Sequence, residues 1–266
     1  MTIGIAIAVP DGIALAADSQ TTWNSIINKA KDKNTGQEFE LAQPISLPIG
    51  WSKMARKLFS VEIQNKRFAL ITAGEAQLNA KTMYAVFKGA ATQFAGDDPS
   101  FNNILQHFID SLKNELCIQF NCQINNLSNQ QIKACEFIIA TYENDDVSKP
   151  IVESHLVFSG TLNINGTQNG SGHFRKWTNT NGPSRYGGCW IGRTDFVSHI
   201  VIHKNNKLPP IQGQYHMMTL ADAVDYTKFL VNFTCDYQRF AIMVPDCGKP
   251  IVSATLTPTT YERNVV

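Results

Sequence analysis

The chain has 266 residues, 43% of them hydrophobic and 17% charged, enough apolar mass to bury a core. Its 23 basic residues against 22 acidic ones leave a formal charge of +1, which gives no electrostatic ground for nucleic acid or an anionic membrane as a partner. The first residues lack a basic segment and carry Asp11 and Asp18, so they do not read as a signal peptide, and nothing reaches transmembrane length. No linker-like stretch divides the chain, so a single domain over residues 1–266 is expected.

From Ile3 onward the chain alternates, with Ile3, Ile5, Ile7 and Val9 on one face and Gly4, Ala6 and Ala8 on the other, and a similar strand follows Pro10-Asp11-Gly12. A three-residue turn with Gly12 in the left-handed conformation would pair Gly4 with Asp18 and put Thr2, Gly4, Ala14, Ala16 and Asp18 on one face. A two-residue turn would send Asp18 to the opposite face from Thr2. Residues 24–50 show no element period and read as an inserted loop or short hairpin. A second strand pair runs over Lys57 to Val61 and Arg67 to Gly74. Amphipathic helices are predicted over about Glu75 to Phe94 and Ser100 to Asn121, the latter with Phe101, Ile104, Leu105, Phe108, Leu112 and Leu116 at helical spacing.

Strands follow at Phe137 to Tyr142 and Ile151 to Phe158, and then a Gly/Asn/Thr/Ser-rich stretch, 160–188, reads as an exposed loop or excursion. A short helix is predicted near Thr194 to His203. Another spans Thr219 to about Tyr237, with Ala223, Tyr226, Leu230 and Phe233 on its apolar side, and Pro250 to Pro258 is the last strand. Propensity alone supports α+β; the order of elements suggests two antiparallel sheets flanked by helices, a four-layer αββα sandwich.

Thr2 carries the most chemistry. Once Met1 is removed, for which the small second residue is a precondition, Thr2 offers a hydroxyl nucleophile and an α-amine of pKa near ~8 that can serve as its base. Without that removal it is a threonine capping a strand.

The set Thr2, Ala16-Ala17-Asp18-Ser19, Arg56-Lys57-Leu58-Phe59 and Thr72-Ala73-Gly74, in this order and spacing, resembles the proteasome β-subunit branch of the N-terminal nucleophile (Ntn) hydrolases. It is most similar to the divergent bacterial proteasome homologues. The helix opening Thr219-Leu220-Ala221-Asp222 and the closing Gly248-Lys249-Pro250-Ile251-Val252 extend the resemblance over most of the chain.

That resemblance implies the Ntn sandwich fold and roles for six residues. Thr2 is the nucleophile. Lys57 matches the buried lysine beside it, whose charge disfavours protonation of the amine, and Asp18 is the partner of that lysine. Gly74, at a strand-to-helix junction, matches the oxyanion donor. Where the family carries Gly-Ser-Gly this chain has Ile191-Gly192-Arg193-Thr194, so Thr194 stands for the serine hydroxyl; a literal Gly170-Ser171-Gly172 falls within the irregular stretch. A further carboxylate of the late helix matches Asp236, although an ungapped count lands two residues further on.

The reading is therefore a threonine-type amide or peptide hydrolase, acting on peptide or unfolded protein as one subunit of a ring or other homo-oligomer, with any ATPase partner unspecified. Two alternatives stay open: hydrolysis or transfer of a non-peptide amide, and a non-catalytic structural subunit, which the missing Gly-Ser-Gly and the insertions favour. No cofactor and no metal is expected: among six histidines, His199 and His203 are four apart but without an accompanying glutamate motif. The six cysteines (Cys117, Cys122, Cys135, Cys189, Cys235, Cys247) have no CxxC spacing and read as reduced, in a cytoplasmic protein.

Overall fold

The computed structural model describes residues 2–52, 55–96, 98–164, 167–181, 184–202, 214–240 and 247–265. In chain order, β1 (Ile3–Val9) and β2 (Gly12–Asp18) form a hairpin, followed by a long ribbon of β3 (Thr21–Lys31) and β4 (Glu38–Ser52). A second hairpin joins β5 (Leu58–Ile63) to β6 (Lys66–Gly74), and a small one joins β7 (Gln77–Leu78) to β8 (Lys81–Thr82). The helices α1 (Met83–Gln93) and α2 (Phe101–Phe120) precede β9 (Ala134–Tyr142) and β10 (Pro150–Phe158). Then come β11 (Leu162–Ile164), β12 (Thr167–Asn169), β13 (Gly172–Thr178), β14 (Gly187–Gly192), α3 (Asp195–Ile202), α4 (Leu220–Phe240), β15 (Ile251–Leu256) and β16 (Tyr261–Val265).

Two five-stranded sheets, ordered β14-β1-β2-β15-β16 and β13-β10-β9-β6-β5, are accompanied by three two-stranded ones, β3-β4, β7-β8 and β11-β12. The expected four-layer αββα Ntn sandwich of two sheets flanked by helices is corrected accordingly. Among the described residues the strands divide among five sheets and the helices are few, so the architecture is mixed α and β with several antiparallel sheets. Periodicity concealed this because the added strands lie in polar, glycine-rich or proline-interrupted segments without a clear period. Residues 24–50 belong to the β3-β4 ribbon, and the Gly-rich stretch contributes β13 to a large sheet and β14 to the other.

The two faces of the first hairpin meet different neighbours. Ile3, Ile5, Ile7, Val9, Ala14 and Ala16 cluster with Val197, Ala223, Leu230 and Val231 of α3 and α4. Ala6, Ala8, Ile13, Leu15 and Ala17 cluster with Ala69, Ile71, Ile138 and Ala140 of the other large sheet. The small residues permit that approach: a Cβ on Gly4 would overlap Ile71. Against the far face of β6 and β9, α1 and α2 bury Phe87, Ile104, Phe108, Leu112 and Leu116 with Phe59, Phe68 and Phe137.

Helix ends explain two departures from the sequence reading. The helix expected from Glu75 starts at Met83, because Asn79 and Ala80 take positive φ in the β7-β8 turn and Thr82 caps α1 by accepting from the Ala85 amide at 3.2 Å. In α4 the buried stripe is Ala223, Thr227, Leu230, Val231, Thr234, Cys235 and Gln238, and Phe233 faces out. The threonine hydroxyls make this stripe buriable by bonding back to the helix, Thr227 to Val224 O at 2.9 Å and Thr234 to Leu230 O at 3.0 Å. Among the described residues no helix is long and apolar enough to cross a membrane.

Phe87 packs its ring on Phe108, Phe137 and Phe59 at centroid distances of 5.2, 5.3 and 6.0 Å. Truncating it to alanine opens a cavity at the middle of this cluster. Phe87→Ala is expected to lower stability by about 3–5 kcal/mol, read as a shift of the urea unfolding midpoint with little change in slope.

Candidate functional site

The site is built at the end of the first hairpin. Pro10 and Asp11 form a two-residue connection, with Val9 opposite Gly12 and Gly4 opposite Ala17. The three-residue turn is thereby corrected: Gly12 sits in the ladder without a positive φ. By alternation Asp18 falls on the face of Ile3 and Thr2 on the face of Gly4, so these two side chains do not share a face as expected.

They are nevertheless joined through the backbone. The Asp18 carboxylate is fully buried. Its Oδ1 accepts the amide of Ile3 at 3.1 Å and the Lys57 ammonium at 3.0 Å. Its Oδ2 accepts Lys57 at 3.1 Å and the amides of Gln20 at 3.2 Å and Gly248 at 3.1 Å. Each of these partners is a donor, the arrangement an ionised acceptor requires. Burial pushes the Asp18 carboxyl above its ordinary range, while the Lys57 ammonium and the amides of Ile3 and Gly248 pull it down.

Lys57 precedes β5, is 7% exposed, and also donates to the carbonyl of Gln20. Its own carbonyl accepts the Thr72 amide at 2.9 Å, which ties its main chain to β6.

The other side of Thr2 is held by β14. The Thr2 carbonyl accepts the Arg193 amide at 2.6 Å, and Thr2 is 3% exposed. Gly192, opposite Ile3, has φ +81, and a Cβ there would overlap the Thr2 carbonyl, so only glycine fits. The peptide unit between Thr2 and Ile3 is thus gripped at both ends, its N–H by Asp18 and its C=O by Arg193.

Three expected residues are placed differently from Thr2, Asp18 and Lys57. Thr194 is half-buried and opens α3, its carbonyl accepting the Ser198 amide at 2.8 Å, two residues beyond Gly192. Gly74 ends β6 opposite Cys135 with φ +82; α1 starts only at Met83, so the strand-to-helix junction expected at Gly74 is corrected. Asp236 is 45% exposed and pairs with Lys249 at 3.2 Å. Gln238, two residues on, is the buried one: its Oε1 accepts the Cys247 amide at 3.0 Å, beside the Gly248 that donates to Asp18. The ungapped count and the buried stripe of α4 both point to Gln238. Gly192 enters the sequence reading only within the stretch matched to Gly-Ser-Gly, and Glu136 not at all: strand pairing sets Gly192 opposite Ile3, and Glu136 reaches Gly192 by a hydrogen bond from the other large sheet.

Burial pushes the thiols of Cys135 and Cys235 up to about 12 and raises Cys189 as well, so these cysteines are poor thiolate nucleophiles. His203 and the side chain of His199 lie outside the described residues.

No protein-family profile and no curated protein matches the chain. Solved structures do. A Gly-1 mutant of Anbu from Hyphomicrobium sp. strain MC1 superposes with a TM-score of 0.54 at 12% identity, over 99% of this chain and 87% of that one. The fold is proteasome-related. The Anbu complex of Pseudomonas aeruginosa, solved as a helical assembly, gives 0.53 at 12% identity over 99% and 86%. Anbu of Yersinia bercovieri, described as an ancestral beta-subunit, gives 0.50 at 10% identity over 98% and 86%. Such low identity reaches the fold alone. The expected identification as an Ntn hydrolase of the divergent bacterial proteasome type is corrected to that likeness of fold.

Lys57→Met would leave the Asp18 carboxylate buried without its counter-charge, and a loss of about 3–5 kcal/mol is expected in chemical denaturation. The double variant Asp18→Asn/Lys57→Met should recover part of that loss, because it removes the orphaned charge.

Proposed function

We propose that the protein is a threonine-type amide hydrolase, with peptides as its substrates and Thr2 as its nucleophile once Met1 is removed. The observation that carries this reading is the two-sided grip on the Thr2–Ile3 peptide unit beside a buried lysine. It fixes the main chain of a residue whose hydroxyl and amine would then do the chemistry, as preorganised catalysis requires.

In this reading the Thr2 Oγ1 attacks the substrate carbonyl carbon while its proton passes to the freed α-amine, directly or through water. The resulting tetrahedral oxyanion collapses, the C–N bond breaks, and the departing amine takes the proton from the α-ammonium. Water then hydrolyses the ester on Thr2, with the amine again as base. Lys57, held by Asp18, disfavours a second positive charge nearby and so keeps the amine basic form available. Thr194 and Gly74 are carried as supporting hydroxyl and oxyanion donor by the resemblance; Asp236, at the surface with Lys249, is the weaker assignment and Gln238 replaces it in holding the site together.

We further propose that the chain is one domain that self-associates, as the Anbu complex does in its helical assembly, and that it works in the cytoplasm, a reducing compartment that suits cysteines without CxxC spacing. A non-catalytic structural subunit is the second reading, favoured by the start of α1 away from Gly74.

Intact mass of the purified protein is expected to lack Met1. Hydrolysis of fluorogenic peptides and covalent labelling by a β-lactone should be present in the wild type and drop to background in Thr2→Ala, with unchanged thermal unfolding. Activity retained in Thr2→Ala would remove Thr2 as nucleophile; a folded wild type that keeps Met1 and neither hydrolyses nor is labelled would favour the structural subunit.

A further inference from the structure

Glu136 lies on β9 opposite Ala73 of β6, and shares the strand face of Ile138 and Ala140 that packs against the other large sheet. Its side chain is 12% exposed. One oxygen, Oε2, accepts the amide of Gly192 at 2.8 Å, and the other pairs with the ammonium of Lys176 on β13. A carboxylate of one sheet therefore takes hold of the last residue of a strand in the other, at the residue beside Thr2.

The consequence runs along three consecutive amides. Gly192 keeps φ +81, which turns the chain so that the Arg193 amide reaches the Thr2 carbonyl at 2.6 Å, while the Thr194 amide returns to the Gly192 carbonyl at 2.9 Å. The turn has no side-chain interaction of its own at Gly192; its first N–H is held by Glu136. A hydrogen bond to an ionised acceptor is about twice as strong as a neutral one, and Lys176 fixes the carboxylate from its other side. Asp18 with Lys57 fixes the N–H end of the Thr2–Ile3 peptide, and Glu136 with Lys176 fixes, through Gly192 and Arg193, its C=O end.

We propose that Glu136 is a positioning residue for the Thr2 nucleophile, acting through Gly192 and Arg193 and held in place by Lys176. The proposal rests on the hydrolase reading for its catalytic consequence and on the hydrogen-bond chain alone for its structural one.

The test compares Glu136→Ala, which removes the acceptor, with Glu136→Gln, which keeps an oxygen for the Gly192 amide. Both are checked for folding by thermal unfolding. In peptide hydrolysis Glu136→Ala should lower kcat by up to about 100-fold with KM unchanged, the scale set by a displacement of about 1 Å at a reacting group. Glu136→Gln should restore most of that rate. Amide hydrogen exchange read by mass spectrometry should show faster exchange over Gly192 and Arg193 in Glu136→Ala and near wild-type protection in Glu136→Gln. Wild-type kcat and wild-type exchange in Glu136→Ala, or a glutamine variant as impaired as the alanine one, would overturn the proposal. If the wild type hydrolyses nothing, the hydrolase reading falls by itself; exchange then decides, and unchanged protection in Glu136→Ala overturns the positioning role too.

Discussion

A carboxylate with no exposure to water has to be surrounded by donors, and the burial of Asp18 dictates much of the local structure around Thr2. Lys57 supplies the charge, and the amides of Ile3, Gln20 and Gly248 supply the remaining donors. Those donors come from four separate stretches of chain: the start of β1, the end of β2, the approach to β5 and the approach to β15. Gln238 of α4 extends the set by holding Cys247, the neighbour of Gly248. One buried charge therefore draws both large sheets and a helix toward the same point, and removing its partner would strand the charge.

The same sheets are tied together on the other side of Thr2, where Glu136 of β9 accepts from Gly192 of β14. A third tie, from the Tyr142 hydroxyl to the Leu256 carbonyl at 2.9 Å, lies elsewhere along the sheet pair. Between such polar ties the contact is made by alanine, valine and isoleucine, which pack closely but set no direction by themselves. The polar contacts supply direction between the sheets, and within one sheet the pairing of Ile3 with Gly192 sets where Arg193 meets Thr2.

Much of this was visible in the residues. The buried stripe of α2 is legible at Ile104, Leu105, Phe108, Leu112 and Leu116, because its period is strong and Asn121 closes it in a left-handed cap, while Ile109 joins the stripe unannounced and Phe101 is only half-buried. Asp18 and Lys57 were read as buried partners from the apolar strand that Asp18 ends and from the family resemblance, and they are joined at 3.0 Å. The register of the first hairpin was not legible, since Pro10-Asp11-Gly12 supports either connection length and one residue of difference moves Asp18 to the other face. The start of α1 was misplaced because its cap, Thr82, follows a small hairpin with no hydrophobic period of its own. On α4 the apolar pattern points correctly to Ala223 and Leu230, whereas the close approach to β1 and β2 favours threonine at other buried positions, with Tyr226 half-buried and Phe233 outside.

By itself the sequence determined the strand and helix segments with strong period, the near-neutral charge, and a hydroxyl, a carboxylate and an ammonium at positions 2, 18 and 57. These are local properties, written in neighbouring side chains and their alternation. Tertiary structure decided what those groups touch. The division of the described strands among five sheets, the grip of Gly192 and Arg193 on Thr2, and the hold of Glu136 on Gly192 all join residues far apart in the chain. Such contacts depend on strand register and on the approach of one sheet to another, and no local pattern of residues encodes either.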